Sequence, residues 1–230
     1  MSSKEIIVYW ATTSDEGLRA EEPKNVLKEY VKDKDLNSYA YLRCPAFKDE
    51  LKNVFSVASI YDIKFDLSED KQININNTQE FFNSKIGIRD LASSSISIED
   101  YITLFTEEDD LEVSQLPAFM EDNDFLNSTT LIVGKMNIGK WFRPIEPAFH
   151  IKRGMSLKYK DIMYYVKFHT ESRIKFVRFE NKQRIQALAK QCISTREDKG
   201  FTAKLSWYYD IFTRNNLKKK VLDEIKANLY

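Results

Sequence analysis

Ile162-Met163-Tyr164-Tyr165-Val166-Lys167-Phe168, followed by Arg173-Ile174-Lys175-Phe176-Val177-Arg178-Phe179, decides the fold class of this chain. Both runs are dense in β-branched and aromatic residues. In the second, Ile174, Phe176 and the stem of Arg178 alternate with Lys175, Val177 and Phe179. A period of two marks a strand with two distinct faces. Residues 129–133 and 148–152 have the same character. Short strands separated by turns that carry Gly or Pro predict a β-sandwich or a jelly-roll-like barrel.

Toward the N-terminus, residues 5–11 place Ile6, Val8 and Trp10 on one face and Ile7 and Tyr9 on the other. Two apolar faces predict a central strand. Pro23, followed by Val26, Leu27, Tyr30 and Val31, predicts a short amphipathic helix. Further strands are expected at 38–43, 53–59, 61–67, 71–75, 100–105 and 111–116, with Pro45 ending the first of these, and a helical turn at 78–85. Toward the C-terminus the period changes after Asn181. Ile185, Leu188, Ala189, Cys192 and Ile193 fall at helical spacing, Gly200 interrupts, and two more stripes follow. These are Leu205, Tyr208, Tyr209 and Phe212, then Leu217, Val221, Leu222, Ile225 and Leu229. The expected organisation is a mainly β (α+β) chain: a β-rich domain over residues 1–180 and a C-terminal helical extension over 181–230.

The formal net charge is zero, yet the charge is divided unevenly. Residues 1–128 hold 13 Lys/Arg against 26 Asp/Glu, a balance of −13; residues 129–230 hold 22 against 9, a balance of +13. Such an asymmetry bears on partners and docking rather than on fold. The basic half can face phosphate, an acidic protein, or the acidic half of its own or a neighbouring chain. No apolar run approaches the roughly 18–20 residues that span a bilayer, and the N-terminal residues lack the apolar stretch of a secretory signal, so no membrane partner is expected. Cys44 and Cys192 are two lone thiols, without metal-ligand spacing.

Four constellations carry possible chemistry. Gly139-Lys140-Trp141-Phe142-Arg143-Pro144 reads either as an aromatic ledge beside a guanidinium or as a structural corner. With His150 and His169, Trp141 and Arg143 form the candidate ligand pocket. The two histidines and the His169-Thr170-Glu171 pattern evoke a facial metal triad, but the histidine order is wrong for a cupin-like site. Gly134-x4-Gly139-Lys140 is followed by Trp141 and so lacks the hydroxyl of a phosphate loop. Glu107-Glu108-Asp109-Asp110 reads as a solvated acidic loop or, more sharply, as a cation site. Arg214, Lys218, Lys219 and Lys220 form a candidate contact for nucleic acid or an acidic partner. No catalytic residue, metal ligand or cofactor is assigned.

Arg43-Cys44-Pro45-Ala46-Phe47, Lys52-Asn53-Val54-Phe55 and Ser59-Ile60-Tyr61-Asp62 precede the Gly139–Pro144 string. Ile151-Lys152-Arg153-Gly154-Met155 and Tyr164-Tyr165-Val166-Lys167-Phe168-His169-Thr170 follow it. Together, over roughly residues 38–180, they resemble an uncharacterised protein family of large tailed bacteriophages, often marine, distantly similar to a bacterial family of unknown function. The resemblance implies a viral protein of the host cytoplasm or the virion and assigns no site residue. The expected function is a structural, assembly or binding module that associates through its oppositely charged halves, with a protein partner or a second copy. An enzyme with a small-molecule or metal site in a cupin-like barrel mouth is the alternative, and nucleic-acid binding through the basic half is the third reading.

Overall fold

Ile6, Val8 and Trp10 bury one face of the first strand while Tyr9 and Ala11 bury the other. Each face is covered by a different layer, and this two-sided burial organises the fold. The computed structural model describes residues 4–12, 20–33, 40–70, 72–75, 86–90, 94–98, 102–199 and 203–230. The chain is mainly β, with several antiparallel sheets and a helical C-terminal part.

The first sheet runs β12 (Pro144–Ile145), β8 (Ile102–Thr106), β1 (Glu5–Thr12), β16 (Arg173–Arg178). The central position of β1 agrees with its two apolar faces. The second sheet runs β11 (Lys135–Asn137), β9 (Glu112–Leu116), β15 (Ile162–Phe168), β3 (Val54–Ala58), β2 (Lys24–Asn25). A third runs β10 (Thr129–Ile132), β13 (Ala148–Ile151), β7 (Ser95–Ile98), β6 (Ile86–Asp90), and a fourth β14 (Met155–Leu157), β4 (Ile63–Leu67), β5 (Ile73–Ile75). All four contribute to one core: Val8, Trp10 and Leu104 from the first sheet, Val57, Tyr164 and Val166 from the second, Ile96, Ile98 and Phe149 from the third, Phe65 and Leu157 from the fourth. The layers are sandwich-like and the described residues form no closed barrel, so the jelly-roll-like barrel and its cupin-like mouth fall away.

β1 and β16 pair in parallel, from Glu5 opposite Arg173 to Trp10 opposite Arg178. The early strand therefore lies against the last strand of the β body. Beyond it come helices Gln183–Lys199, Leu205–Arg214 and Leu217–Lys226. They close a second core on the other face of β1 and β8, in which Tyr9, Ala11 and Phe105 meet Ile185, Tyr208, Phe212, Val221 and Ile225. Phe105 lies edge-on to Phe142 at 5.2 Å and to Phe212 at 6.0 Å between ring centroids. The helical extension is thus a packed layer of the fold. A smaller third core joins Val26, Leu51 and Ala118 to Val54 and Tyr165 on the outer face of the second sheet.

Several local expectations change. The strand expected at 38–43 is, over its described part, the 3-10 helix Ala40–Arg43. Pro45 does not end a strand but opens helix Pro45–Glu50, where its fixed φ and missing N–H suit the first turn. The helical turn expected at 78–85 lies outside the described residues, as does Gly200. β2, β6, β7, β11, β12 and β14 fall outside the strands expected from the sequence. In β7, Ser95-Ile96-Ser97-Ile98 alternates in chemistry but is buried throughout: Ile96 and Ile98 enter the principal core, and the strand lies between β6 and β13.

Candidate functional site

The four residues expected to form one pocket are distributed over the molecule. Trp141 is only 6% exposed and packs on Tyr208 and Phe212 at 5.2 and 6.2 Å in the second core. Its indole is a wall between body and helices, which corrects the ledge reading: the surface that would carry a ligand is covered by Leu205–Arg214. Arg143 donates to Glu146 Oε2 at 2.6 Å and to the Pro144 carbonyl at 3.1 Å. Glu146 also takes Arg89 at 2.8 Å. His150 lies on β13, opposite Thr130 and Ser95 in the third sheet. Of the four, only His169 lines one of the surface grooves described below.

His169 follows β15, and its Nε2 lies 2.7 Å from Ser114 Oγ on β9. The pair arises from strand register: Lys167 stands opposite Ser114, so the next residue on that face meets it diagonally. Partial burial, reinforced by Lys135 and Lys167, holds the imidazole below its ordinary pKa. A neutral imidazole beside a hydroxyl is a chemically competent pair. Among the described residues, however, nothing holds its second ring nitrogen, as a triad requires. The adjoining groove of about 670 Å³ is walled by ion pairs that cancel locally, Lys167 with Glu50 and Lys52 with Glu171. Nor do three or more His, Cys, Asp or Glu side chains converge anywhere among the described residues as they would around a metal.

The acidic run is a second constellation, and it joins motifs that lie far apart in the sequence. Each carboxylate takes one lysine: Glu107 with Lys226 at 2.9 Å, Glu108 with Lys4 at 2.9 Å, Asp109 with Lys218 at 2.5 Å and Asp110 with Lys140 at 2.7 Å. Ammonium groups therefore occupy the place the sequence offered to a cation. Glu107 also accepts the Tyr9 hydroxyl at 2.8 Å. Lys226 and that hydroxyl hold the Glu107 carboxyl below its ordinary pKa, and Lys218 does the same for Asp109. Burial, with Glu107 second, pushes the Tyr9 phenol up to about 12. The glycine of the string beginning Gly139-Lys140 serves close approach here: a Cβ on it would lie 1.8 Å from the Glu108 carbonyl oxygen. Of the basic residues singled out in the tail, Lys218 is spent on Asp109 and Lys219 on Asp223. Arg214 and Lys220 remain exposed.

These pairs belong to a wider pattern. Among the described residues, eight ion pairs join a cation from the basic half to an anion from the acidic half within the chain. Besides Lys140, Lys218 and Lys226, they use Lys135, Arg153, Lys160, Lys167 and Lys175. The two charged halves meet inside one molecule.

The third constellation carried no sequence signal. It is a groove of about 1080 Å³ between β16, the edge of the first sheet, and β2, the edge of the second. Its floor is apolar. Phe176 stands edge-on to Phe55 at 5.0 Å and to Phe168 at 5.8 Å, and Ile174 lies beside them. Glu5, Arg173 and Lys175 form one rim; Glu21, Glu22 and Lys24 belong to the other. The register of β16 fixes the direction of its main chain. The amides of Arg173 and Phe179 donate to the carbonyls of Lys4 and Trp10, so the odd-numbered residues bond to β1. The N–H and C=O of Ile174, Phe176 and Arg178 consequently point away from β1. At the far end these outward groups are used: Tyr230 N–H donates to the Arg178 carbonyl at 3.2 Å and Glu180 N–H to the Asn228 carbonyl at 2.8 Å. Residues 228–230 thus lie antiparallel on this edge, and the Arg178 guanidinium sits 5.2 Å from both the Trp10 and Tyr230 rings. At Ile174 and Phe176 the outward groups have no partner among the described residues.

No protein family, curated protein or solved structure matches this chain. No described helix is long and apolar enough to cross a membrane.

Proposed function

We propose that this chain is a non-catalytic protein-binding module that takes an extended segment of another protein onto the open half of the β16 edge. The observation that carries this reading is the pair of outward main-chain sites at Ile174 and Phe176, without a partner among the described residues and above the Phe55–Phe168–Phe176 floor. An open edge is a template for a further strand. Main-chain hydrogen bonds supply affinity in this mode, and alternate side chains over the floor supply selectivity. The sequence resemblance to tailed-phage proteins is what supports reading the module as an assembly or virion component within the host cell. Association through the charged halves has less free charge to draw on, because eight ion pairs among the described residues already join those halves internally.

The test is amide-resolved NMR of the full chain with a peptide selected from a random displayed library. The expected result is slowed hydrogen exchange at the Ile174 and Phe176 amides on binding. Selected peptides that instead perturb the His169 groove, or the surface around Arg214 and Lys220, would overturn the reading.

A further inference from the structure

Resting on that reading, we infer that the partner segment alternates apolar and acidic residues, its apolar side chains over Phe55 and Phe176 and its acidic ones against Arg173 and Lys175.

The alternation follows from geometry. Residues of an added strand must point alternately to the two faces of the first sheet. On one face their neighbours are Ile174 and Phe176, packed into the principal core with Phe55 beneath. On the other they are Arg173 and Lys175, both exposed. Arg173 has no ion pair among the described residues, and Lys175 meets only Glu5, at 3.8 Å. Those two cations govern the choice of partner. A second copy paired through β16 in antiparallel fashion would set Lys175 against Lys175, and like charges directly opposite are unfavourable. Lysine on an edge strand is a usual guard against such pairing. The same cations favour a strand carrying carboxylates at alternate positions. Residues 228–230 already fill the edge beyond Arg178, which limits the open stretch to a short segment around Ile174–Phe176.

The experiment measures binding of three capped synthetic hexapeptides to the full chain by fluorescence anisotropy at low salt. One alternates valine with glutamate, one valine with lysine and one valine with serine. The expected order is glutamate, then serine, then lysine, with about tenfold between the extremes from two cross-strand charge pairs. The double variant Arg173→Glu/Lys175→Glu should reverse that order. Both positions are exposed, and circular dichroism verifies that the variant folds. Equal binding of all three peptides would overturn the acidic preference and leave strand capture standing. Binding of none of them, at concentrations where the valine–serine peptide saturates a β-edge control protein, would overturn both.

Discussion

Lys226 Nζ stands 2.9 Å from Glu107 Oε1, and the same carboxylate oxygen accepts the Tyr9 hydroxyl at 2.8 Å. One side chain thereby ties the last helix, the turn after β8 and the central strand together. The magnitudes show what this cluster does. Exposed ion pairs contribute about 0–1 kcal/mol each, whereas each large apolar side chain buried in the second core contributes about 1.5–3 kcal/mol. Packing holds the helices on, and the lysines set where they sit.

High salt should therefore leave the helical layer docked. Light scattering at low and at 1 M salt should return one mass, because the oppositely charged halves are paired within the chain. A mass that falls with salt would restore charge-driven association. Phe212→Ala, by contrast, removes a ring that is 1% exposed and touches Phe105 and Trp141. It should cost about 3–5 kcal/mol in denaturant unfolding.

Acid should loosen the same junction. Glu107 and Asp109 have folded-state pKa values below their ordinary ones, 4.5 and 3.8. A depressed carboxyl binds its proton more readily when unfolded, so its contribution is complete above the ordinary value and disappears as pH falls through the folded one. Protection factors for amide exchange in Leu217–Lys226, corrected for the intrinsic rate at each pH, should fall below about pH 4.5. In a Lys218→Ala/Lys226→Ala variant the acid-dependent part of that loss of protection should shrink; an unchanged profile would show that other carboxylates are responsible.

Gly139→Ala should be severe, because the turn that holds Gly139 is buried. The added methyl would meet the main-chain carbonyl of Glu108 at 1.8 Å, and a backbone atom cannot rotate away. A cost of about 3 kcal/mol is expected, the upper part of the usual range for overpacking. Thermal unfolding that matches the parent chain would contradict the close approach.

The two thiols should react very differently. Cys44 is exposed, whereas Cys192 is buried and its thiol is pushed up to about 12 by burial. A thiol reagent at neutral pH should label Cys44 promptly and Cys192 only under denaturant, since the thiolate is the reacting form. Rapid double labelling of native protein would place the Gln183–Lys199 helix off the body.

Legibility in the sequence followed the range of the physics involved. Ile162–Phe168 was read with its full bounds because its composition alone favours a strand. The three helical stripes after Asn181 were read because each helix shows its period locally. Residues 38–43 misled, since an alternation of tyrosines fits a strand as well as the turn that the 3-10 helix Ala40–Arg43 forms beside Pro45. Trp141 misled in another way: an aromatic next to Gly and Arg looks like a ledge until Tyr208 and Phe212, far along the chain, are seen to cover it.

The β-rich body, the helical extension and the imbalance of charge are legible in the chain itself, because alternation, helical spacing and composition are properties of neighbouring residues. Which anion meets which lysine, the place of Ser114 beside His169, and the outward main chain at Ile174 and Phe176, without a partner among the described residues, all come from the tertiary structure. Those relationships depend on strand order and register, and register joins residues that share no local pattern.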